Sequence, residues 1–139
     1  MKFLRINDKN ISYLNKFIKN MGNSSKGFRY YSKRNPHMAI GNHILTFLLM
    51  DDDAVGYGHL DKEEEKVWLG ICVKEGCQGK GYGREIMKRL TGYHTGDIYL
   101  SVDKDNEAAV NLYKLFSFEK IGEEANIFYM KRGQYDTCV

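Results

Sequence analysis

The 139-residue chain has no apolar run that approaches the ~18–20 residues needed to cross a bilayer. Its first ten residues, MKFLRINDKN, place a charge or an amide every few positions, so they do not read as a secretory leader. Cysteine is scarce. Cys72, Cys77 and Cys138 make an odd number with no C-x-x-C spacing, which provides neither a disulfide framework nor a zinc motif. Cys77 reads as an ordinary thiol rather than a nucleophile. No internal repeat, low-complexity tract or linker divides the sequence. The net charge of +3 is too small to argue for a nucleic-acid partner. Hydrophobic residues at 42% and charged residues at 28% are ordinary soluble proportions, so a normal buried core is expected. Together these absences predict one cytoplasmic domain over residues 1–139, with no membrane or nucleic-acid partner.

What the chain does have is an uneven charge. Residues 1–40 carry nine Lys/Arg and one Asp, whereas residues 41–139 carry twelve Lys/Arg and seventeen acids. A basic N-terminal third either faces an anionic ligand or is a solvated surface. Residues 3–6, FLRI, read as a strand. Asp8 can cap a helix running to about Met21, with Ile11, Leu14, Phe17, Ile18 and Met21 on one face. Residues 22–27 read as a loop, and 28–34 as a short helix or turn ended near Asn35-Pro36. The hydrophobic period then changes. Residues 43–50 and 54–60 read as the strands of a hairpin about a DDD turn, and 67–73 as a third strand after DKEEEK.

A glycine-rich loop follows, then a helix to about Leu90 and a strand over 98–102. The next helix runs from about Asn106 to Phe116, with Ala109, Leu112, Tyr113 and Phe116 along its apolar face; two strands close the chain. Antiparallel strands followed by β-α-β-α-β-β predict an α/β fold. It would be a mixed, mostly antiparallel twisted sheet of about six to seven strands flanked by about four helices. Ligands of such sheets tend to bind where neighbouring strands diverge at their carboxyl ends.

The stretch VKEGCQGKGYGREIMKRL sets Gly79, Gly81 and Gly83 where a helix begins. Glycine there costs about 0.5–1 kcal/mol relative to alanine. The first N–H groups of a helix lack partners and the helix dipole adds partial positive charge, so such a terminus can hold a phosphate. Residues without a Cβ let the backbone approach it. The same residues also suit a plain turn packed on the sheet. A Walker A loop is excluded, because Gly79-Lys80 lacks both the upstream glycine and the following Ser/Thr. A dinucleotide fingerprint fits poorly, since GKGYGR has only G-x-G-x-G and follows three strands. Asp103 does lie at a distance suited to a ribose contact, which keeps a nucleotide-dependent enzyme as an alternative.

The segment QGKGYG, Gln78 to Gly83, resembles the Q/R-x-x-G-x-G/A pyrophosphate loop of the GNAT superfamily of acyl-CoA-dependent N-acetyltransferases. The resemblance continues in LSVDKDNEAAVNLYKLFSF, which is similar to that family's next strand and its N-x-x-A-x-x-L-Y helix, here Asn106, Ala109, Leu112 and Tyr113. It covers roughly residues 42–132, the expected acetyl-CoA-binding core, with residues 1–41 shaping the acceptor side.

The resemblance implies direct transfer of an acetyl group from acetyl-CoA to the primary amine of a small molecule, without a metal. A non-catalytic acyl-CoA-sensing module is the alternative. By the same resemblance, backbone N–H groups of Gly79, Lys80, Gly81, Tyr82, Gly83 and Arg84 would hold the pyrophosphate, with Gln78 opening the loop. The main chain of Ile71, Cys72 and Val73 would pair with the pantetheine amides and polarise the thioester carbonyl. Asn106 would hydrogen-bond the pantetheine arm or serve as a helix cap. Tyr113 would be the general acid for the departing thiolate, unless it is simply core.

His59 is the first candidate for the base, with Asp61 and Glu63, Glu64 and Glu65 as others. Trp68 would line the acceptor pocket or pack in the core. Phe28, Arg29, Tyr30, Tyr31, Lys33 and Arg34 suggest an acceptor bearing an anionic group. The family often has Gly-Phe after the tyrosine helix, where this chain has Ser117-Phe118, so a slightly different helix ending is expected. Exposed edge strands would also allow a homodimer.

Overall fold

The computed structural model describes residues 1–133, and in it apolar alternation along the central strands loads both faces of one sheet. Cys138 lies outside the described residues. The strands are β1 (Lys2–Arg5), β2 (His43–Asp51), β3 (Asp53–Glu63), β4 (Lys66–Val73), β5 (Ile98–Asp103), β6 (Glu119–Glu124) and β7 (Ile127–Arg132). The helices are α1 (Ile11–Lys19), α2 (Pro36–Ala39), α3 (Tyr82–Tyr93) and α4 (Glu107–Leu115), with helical turns at Gly22–Lys26 and Ile40–Asn42. No helix among the described residues is long and apolar enough to cross a membrane.

Helix α1 begins later than Asp8 suggested. The Asn10 side chain accepts from the Asn7 N–H and donates to the Arg5 carbonyl, which turns the chain from β1 into the helix. Residues 28–34 are turns and bends, not a helix. On one face of the sheet, Leu45, Phe47 and Leu49 of β2 meet Ile86, Met87 and Leu90 of α3 and Val110 and Tyr113 of α4. On the other, Leu48, Tyr57 and Cys72 meet Leu14 and Phe17 of α1.

The strand order is β1-β2-β3-β4-β5-β7-β6. Every neighbouring pair is antiparallel except β4 and β5. That parallel pair is joined only at Val67↔Ile98 and Trp68↔Tyr99. Past Trp68 the two strands part, and Leu69 to Val73 pair with β3 alone. A bulge between His43 and Leu45 shifts the register of β2, setting His43 opposite Asp61 and Thr46 opposite His59. Without it, two-residue alternation would put His43 on the face of Leu45 and Phe47.

Helix α4 ends in a left-handed turn. Ser117 takes φ +70°, the Phe118 N–H bonds the Tyr113 carbonyl at 3.1 Å, and the Ser117 N–H bonds the Lys114 carbonyl at 3.1 Å. This is a Schellman motif, with the Phe118 and Tyr113 rings 6.0 Å apart as its apolar contact. The expected departure in helix ending is therefore absent: serine adopts the conformation that glycine usually supplies. A left-handed non-glycine residue costs roughly 1–2 kcal/mol, and glycine returns about 0.5–1 kcal/mol of that as unfolded-state entropy. Ser117→Gly should thus stabilise the protein by roughly 0.5–1 kcal/mol and raise the melting temperature by about 2–4 °C. An unchanged or lower melting temperature would show that the serine is not strained.

Candidate functional site

Where β4 and β5 part, they open a cavity of about 700 Å³, walled by both strands, the glycine loop, α4 and parts of residues 23–34. One end is built from backbone. Gly79 and Gly81 have φ +78° and +86°, and Gly81 stands at the cap position of α3 with no side-chain cap bond. A Cβ at Gly81 would meet nothing within 4 Å, so packing against protein does not demand glycine there. The left-handed backbone does, and it leads into the first amides of α3, which a helix leaves without intrahelical partners. That donor set, at the positive end of a helix, fits a phosphate-bearing ligand.

The loop is braced from both sides. Gln78 accepts from the Gly76 N–H at 3.3 Å and donates to the Ser24 hydroxyl at 3.1 Å. Ser24 in turn donates to the Val73 carbonyl at 2.7 Å. The Val73 carbonyl, expected to serve an extended ligand, thus already has a donor. Sequence reasoning missed Ser24 because nothing in GNSSKG marks one serine as a brace. Tyr82 donates to Asp51 at 2.5 Å and ties the start of α3 to the β2–β3 hairpin. Ile71, Cys72, Val73, Gln78, Gly79, Gly81, Tyr82 and Gly83 all line the cavity, whereas the Lys80 and Arg84 side chains are exposed outside it. Burial pushes the Cys72 thiol up to about 12, which makes it a packing group.

Asn106, just before α4, and Tyr113 within it both line the cavity. Asn106 is the helix cap, its Oδ1 accepting from the Ala109 N–H at 3.3 Å. Its Nδ2 has no protein partner among the described residues, so cap and ligand roles are compatible. Tyr113 is 7% exposed and also lines the cavity, yet its hydroxyl has no hydrogen-bond partner among the described residues. Burial, and secondarily Cys72, raise its pKa well above that of an ordinary phenol.

The other end is a buried polar cluster on β2 and β3. Tyr31 and Tyr57 share a hydrogen bond at 2.6 Å, and Tyr57 contacts His59 Nδ1 at 2.6 Å. Thr46 contacts His43 Nδ1 at 2.6 Å, and the Tyr30 hydroxyl lies 2.8 Å from His43 Nε2 while donating to Asp61 Oδ2 at 2.8 Å. His43 and His59 stack with centroids 4.5 Å apart. Burial lowers the pKa of His43 to about 4 and that of His59 well below 6.5, so both rings are neutral at pH 7. His59 and Asp61 are each 2% exposed, and Asp61 Oδ1 is buried with no hydrogen-bond partner among the described residues. The Glu63 carboxyl beside it is raised by its own burial and then by Asp61. Trp68, opposite Asp61 in the β3–β4 ladder, lines the cavity with its ring 5.6 Å from Tyr99.

Of the three cations proposed for an anionic acceptor, the two arginines are already engaged. Arg29 makes a two-pronged ion pair with Asp103 at 2.8 and 2.9 Å, strapping residues 22–34 to the end of β5. Arg34 stacks over Tyr30 at 4.3 Å and lies 3.9 Å from Glu63. Lys33 is exposed and outside the cavity wall. Asp103, once a possible ribose contact, is the partner of Arg29. Sequence reading named His59 and Asp61 but left Tyr57 unused, although Tyr57-x-His59-x-Asp61 sets three polar groups at two-residue spacing on one face of β3.

The family model described as "Acetyltransferase (GNAT) family" matches residues 14–118. The spermine/spermidine N(1)-acetyltransferase of Bacillus subtilis is 36% identical over 69 residues, 45% of this chain and 45% of that enzyme. The N-alpha-acetyltransferase RimI of Mycobacterium tuberculosis is 38% identical over 53 residues, 37% of this chain and 34% of that one. The chain thus spans less than half the length of either curated relative. A crystal structure of spermidine N-acetyltransferase from Vibrio cholerae, in complex with CoA and spermine, superposes with a TM-score of 0.73 at 18% identity. That superposition covers 94% of this chain and 93% of that one, so the fold is shared from end to end. With the family model spanning the loop, the parted strands and the tyrosine helix alike, the chain belongs to the acetyltransferase (GNAT) family.

Proposed function

We propose that the protein transfers the acetyl group of acetyl-CoA directly to a primary amine of a small, positively charged molecule. The observation that carries this reading is the Tyr113 hydroxyl. It is held without a protein partner in the cavity, whose walls also carry the phosphate-type loop and the buried carboxylate of Asp61. Acetyl-CoA, when bound, supplies the acetyl thioester. The amides from Gly79 to Arg84 would meet its pyrophosphate, the main chain of Ile71 and Cys72 its pantetheine arm, and Asn106 Nδ2 an amide of that arm.

The role of Tyr113 is set by magnitudes. A thiol has a pKa of ~8.5 and a phenol ~10, and burial raises Tyr113 further. Handing a full proton to a thiolate would therefore run uphill by more than about 2 kcal/mol. Donating a hydrogen bond to the sulfur as its charge develops carries no such cost, and it is the role we assign. His59 Nε2, which has no protein hydrogen bond among the described residues, is the acceptor we assign for the amine's proton, with Tyr57 holding the other ring nitrogen. Since burial holds that ring's pKa well below 6.5, the transfer follows attack, once the nitrogen in the tetrahedral adduct has become acidic. Asp61 Oδ1 and Glu63 suit an ammonium group better than a phosphate, and a spermine/spermidine acetyltransferase among the relatives supports that choice. A pure acyl-CoA sensor would have no use for the free Tyr113 hydroxyl.

Two measurements test the reading. Asparagine tolerates left-handed backbone, so Gly81→Asn keeps the loop and adds a side chain where the pyrophosphate should lie. Acetyl-CoA affinity should fall at least tenfold, about 1.4 kcal/mol, with the melting temperature nearly unchanged. Equal affinity in the folded variant would remove the loop from the binding site. Free-thiol release across polyamines, amino sugars, nucleotide-linked amino sugars, amino acids and lysine peptides should be fastest with a polyamine. Binding without thiol release from any amine would favour the sensor instead.

A further inference from the structure

We infer that His43, His59 and Asp61 form a binding site for a borderline divalent cation such as Zn2+, and that its occupancy excludes the acceptor amine. One donor atom from each of the three residues lies within 4.8 Å of the other two. The register of the sheet builds this cluster: the β2 bulge brings His43 opposite Asp61, and His59 stands two residues away on the same face of β3.

The hydrogen bonds leave His59 Nε2 and Asp61 Oδ1 over, while His43 Nε2 is in contact with the Tyr30 hydroxyl at 2.8 Å. Both imidazoles are held at Nδ1 by a hydroxyl, His43 by Thr46 and His59 by Tyr57, each at 2.6 Å. Outer partners of this kind fix the ring plane of a metal-binding histidine and leave Nε2 for the ion. His59 Nε2 has no protein partner among the described residues, and across the ladder Gly70 leaves it uncovered. A Cβ at Gly70 would lie 2.7 Å from that nitrogen. The Tyr30 hydroxyl lies 2.8 Å from both His43 Nε2 and Asp61 Oδ2, so an ion entering between them turns that hydroxyl aside while the His43 proton moves to Nδ1, facing Thr46.

Asp61 adds an independent indication: its Oδ1 is buried and unmatched by any donor among the described residues. A lone carboxylate oxygen in such a place gains from a cation. Two imidazoles and one carboxylate select zinc and its neighbours over calcium or magnesium. Zinc bonds of about 2.1 Å put tetrahedral ligands roughly 3.4 Å apart, so the donor atoms, now within 4.8 Å of one another, must close by up to about 1.4 Å. Glu63 stands beside Asp61 and offsets the nearby Arg34 charge.

The binding itself does not depend on the proposed reaction; the competition rests on the reading of Asp61 as the amine's partner. Zn2+ affinity is measured by equilibrium competition with a chromogenic chelator on the full chain carrying Cys77→Ser, and Co2+ spectra identify the ligands. The expected result is one Zn2+ per chain, weakened at least tenfold in His43→Gln and in the isosteric Asp61→Asn. Co2+ should show visible d–d bands without a thiolate charge-transfer band. No stoichiometric binding, full affinity in His43→Gln, or a thiolate band would overturn the site. Inhibition should be competitive with the amine and not with acetyl-CoA. Stoichiometric binding with an unchanged amine KM would uphold the metal site and move the amine away from Asp61.

Discussion

Tyr113→Phe should lower kcat about 30-fold while leaving acetyl-CoA affinity within about twofold. The phenyl ring would keep its contact with Phe118 and its place in the core; only the hydroxyl would go. A hydrogen bond to a charged group contributes about 1.5–3 kcal/mol, or roughly 10–150-fold in rate. The loss should be smaller with acyl donors whose thiol is more acidic, because a better leaving group needs less help. Single-turnover kinetics would separate chemistry from product release. A variant that reacted at the wild-type rate with chemistry limiting would return Tyr113 to packing alone.

Asp61→Asn should lower kcat/KM for a polyamine about 100-fold, chiefly through KM. Removing one member of a buried charge pair costs roughly 3–5 kcal/mol, and a share of that is kept here by Glu63 and by the oxygen of the new amide. Tyr30 would still have an oxygen to bond, so the side chain should stay in place. Acetyl-CoA affinity serves as the internal control. An unchanged KM for spermidine would place the ammonium elsewhere. Improved turnover of a phosphate-bearing amino sugar over spermidine in the wild type would restore the anionic acceptor.

The glycine loop was legible because it is local: Gly79 and Gly81 make the left-handed turn into α3, whereas Gly83, expected to clear space for a ligand, lies inside the helix where a Cβ would crowd Leu112 at 3.1 Å. The helix of Asn106 and Tyr113 was legible for the same reason, through its 3.6-residue stripe and its cap. Of the polar cluster, His59 and Asp61 stood out in the sequence, and His43 did not. His43 and Asp61 are far apart in sequence, and they meet because a bulge reverses the facing of His43 relative to plain alternation. No composition or spacing rule announces a bulge in HILTFLLM. The engagement of Arg29 with Asp103 was hidden too, since a basic segment looks the same whether its partner is solvent, ligand or a carboxylate in another strand. Sequence gave the charges, and only the fold says which are already neutralised. Ser117 taught the converse lesson: a residue outside the family pattern occupies the usual backbone state at a modest energetic cost.

The parting of β4 and β5 also has a bearing on cooperativity. Strand pairing joins the four strands β1 to β4 to the three strands β5, β7 and β6 at two residue pairs. The sheet is thus two half-sheets sharing a short seam, and each can open on its own more readily than an evenly laced sheet. An extended ligand lying along Leu69 to Val73 would act as the missing lacing. Amides on that side of β4 would exchange with solvent quickly in its absence and slowly in its presence. Occupancy of the cleft would then be recorded as a merging of two exchange units into one.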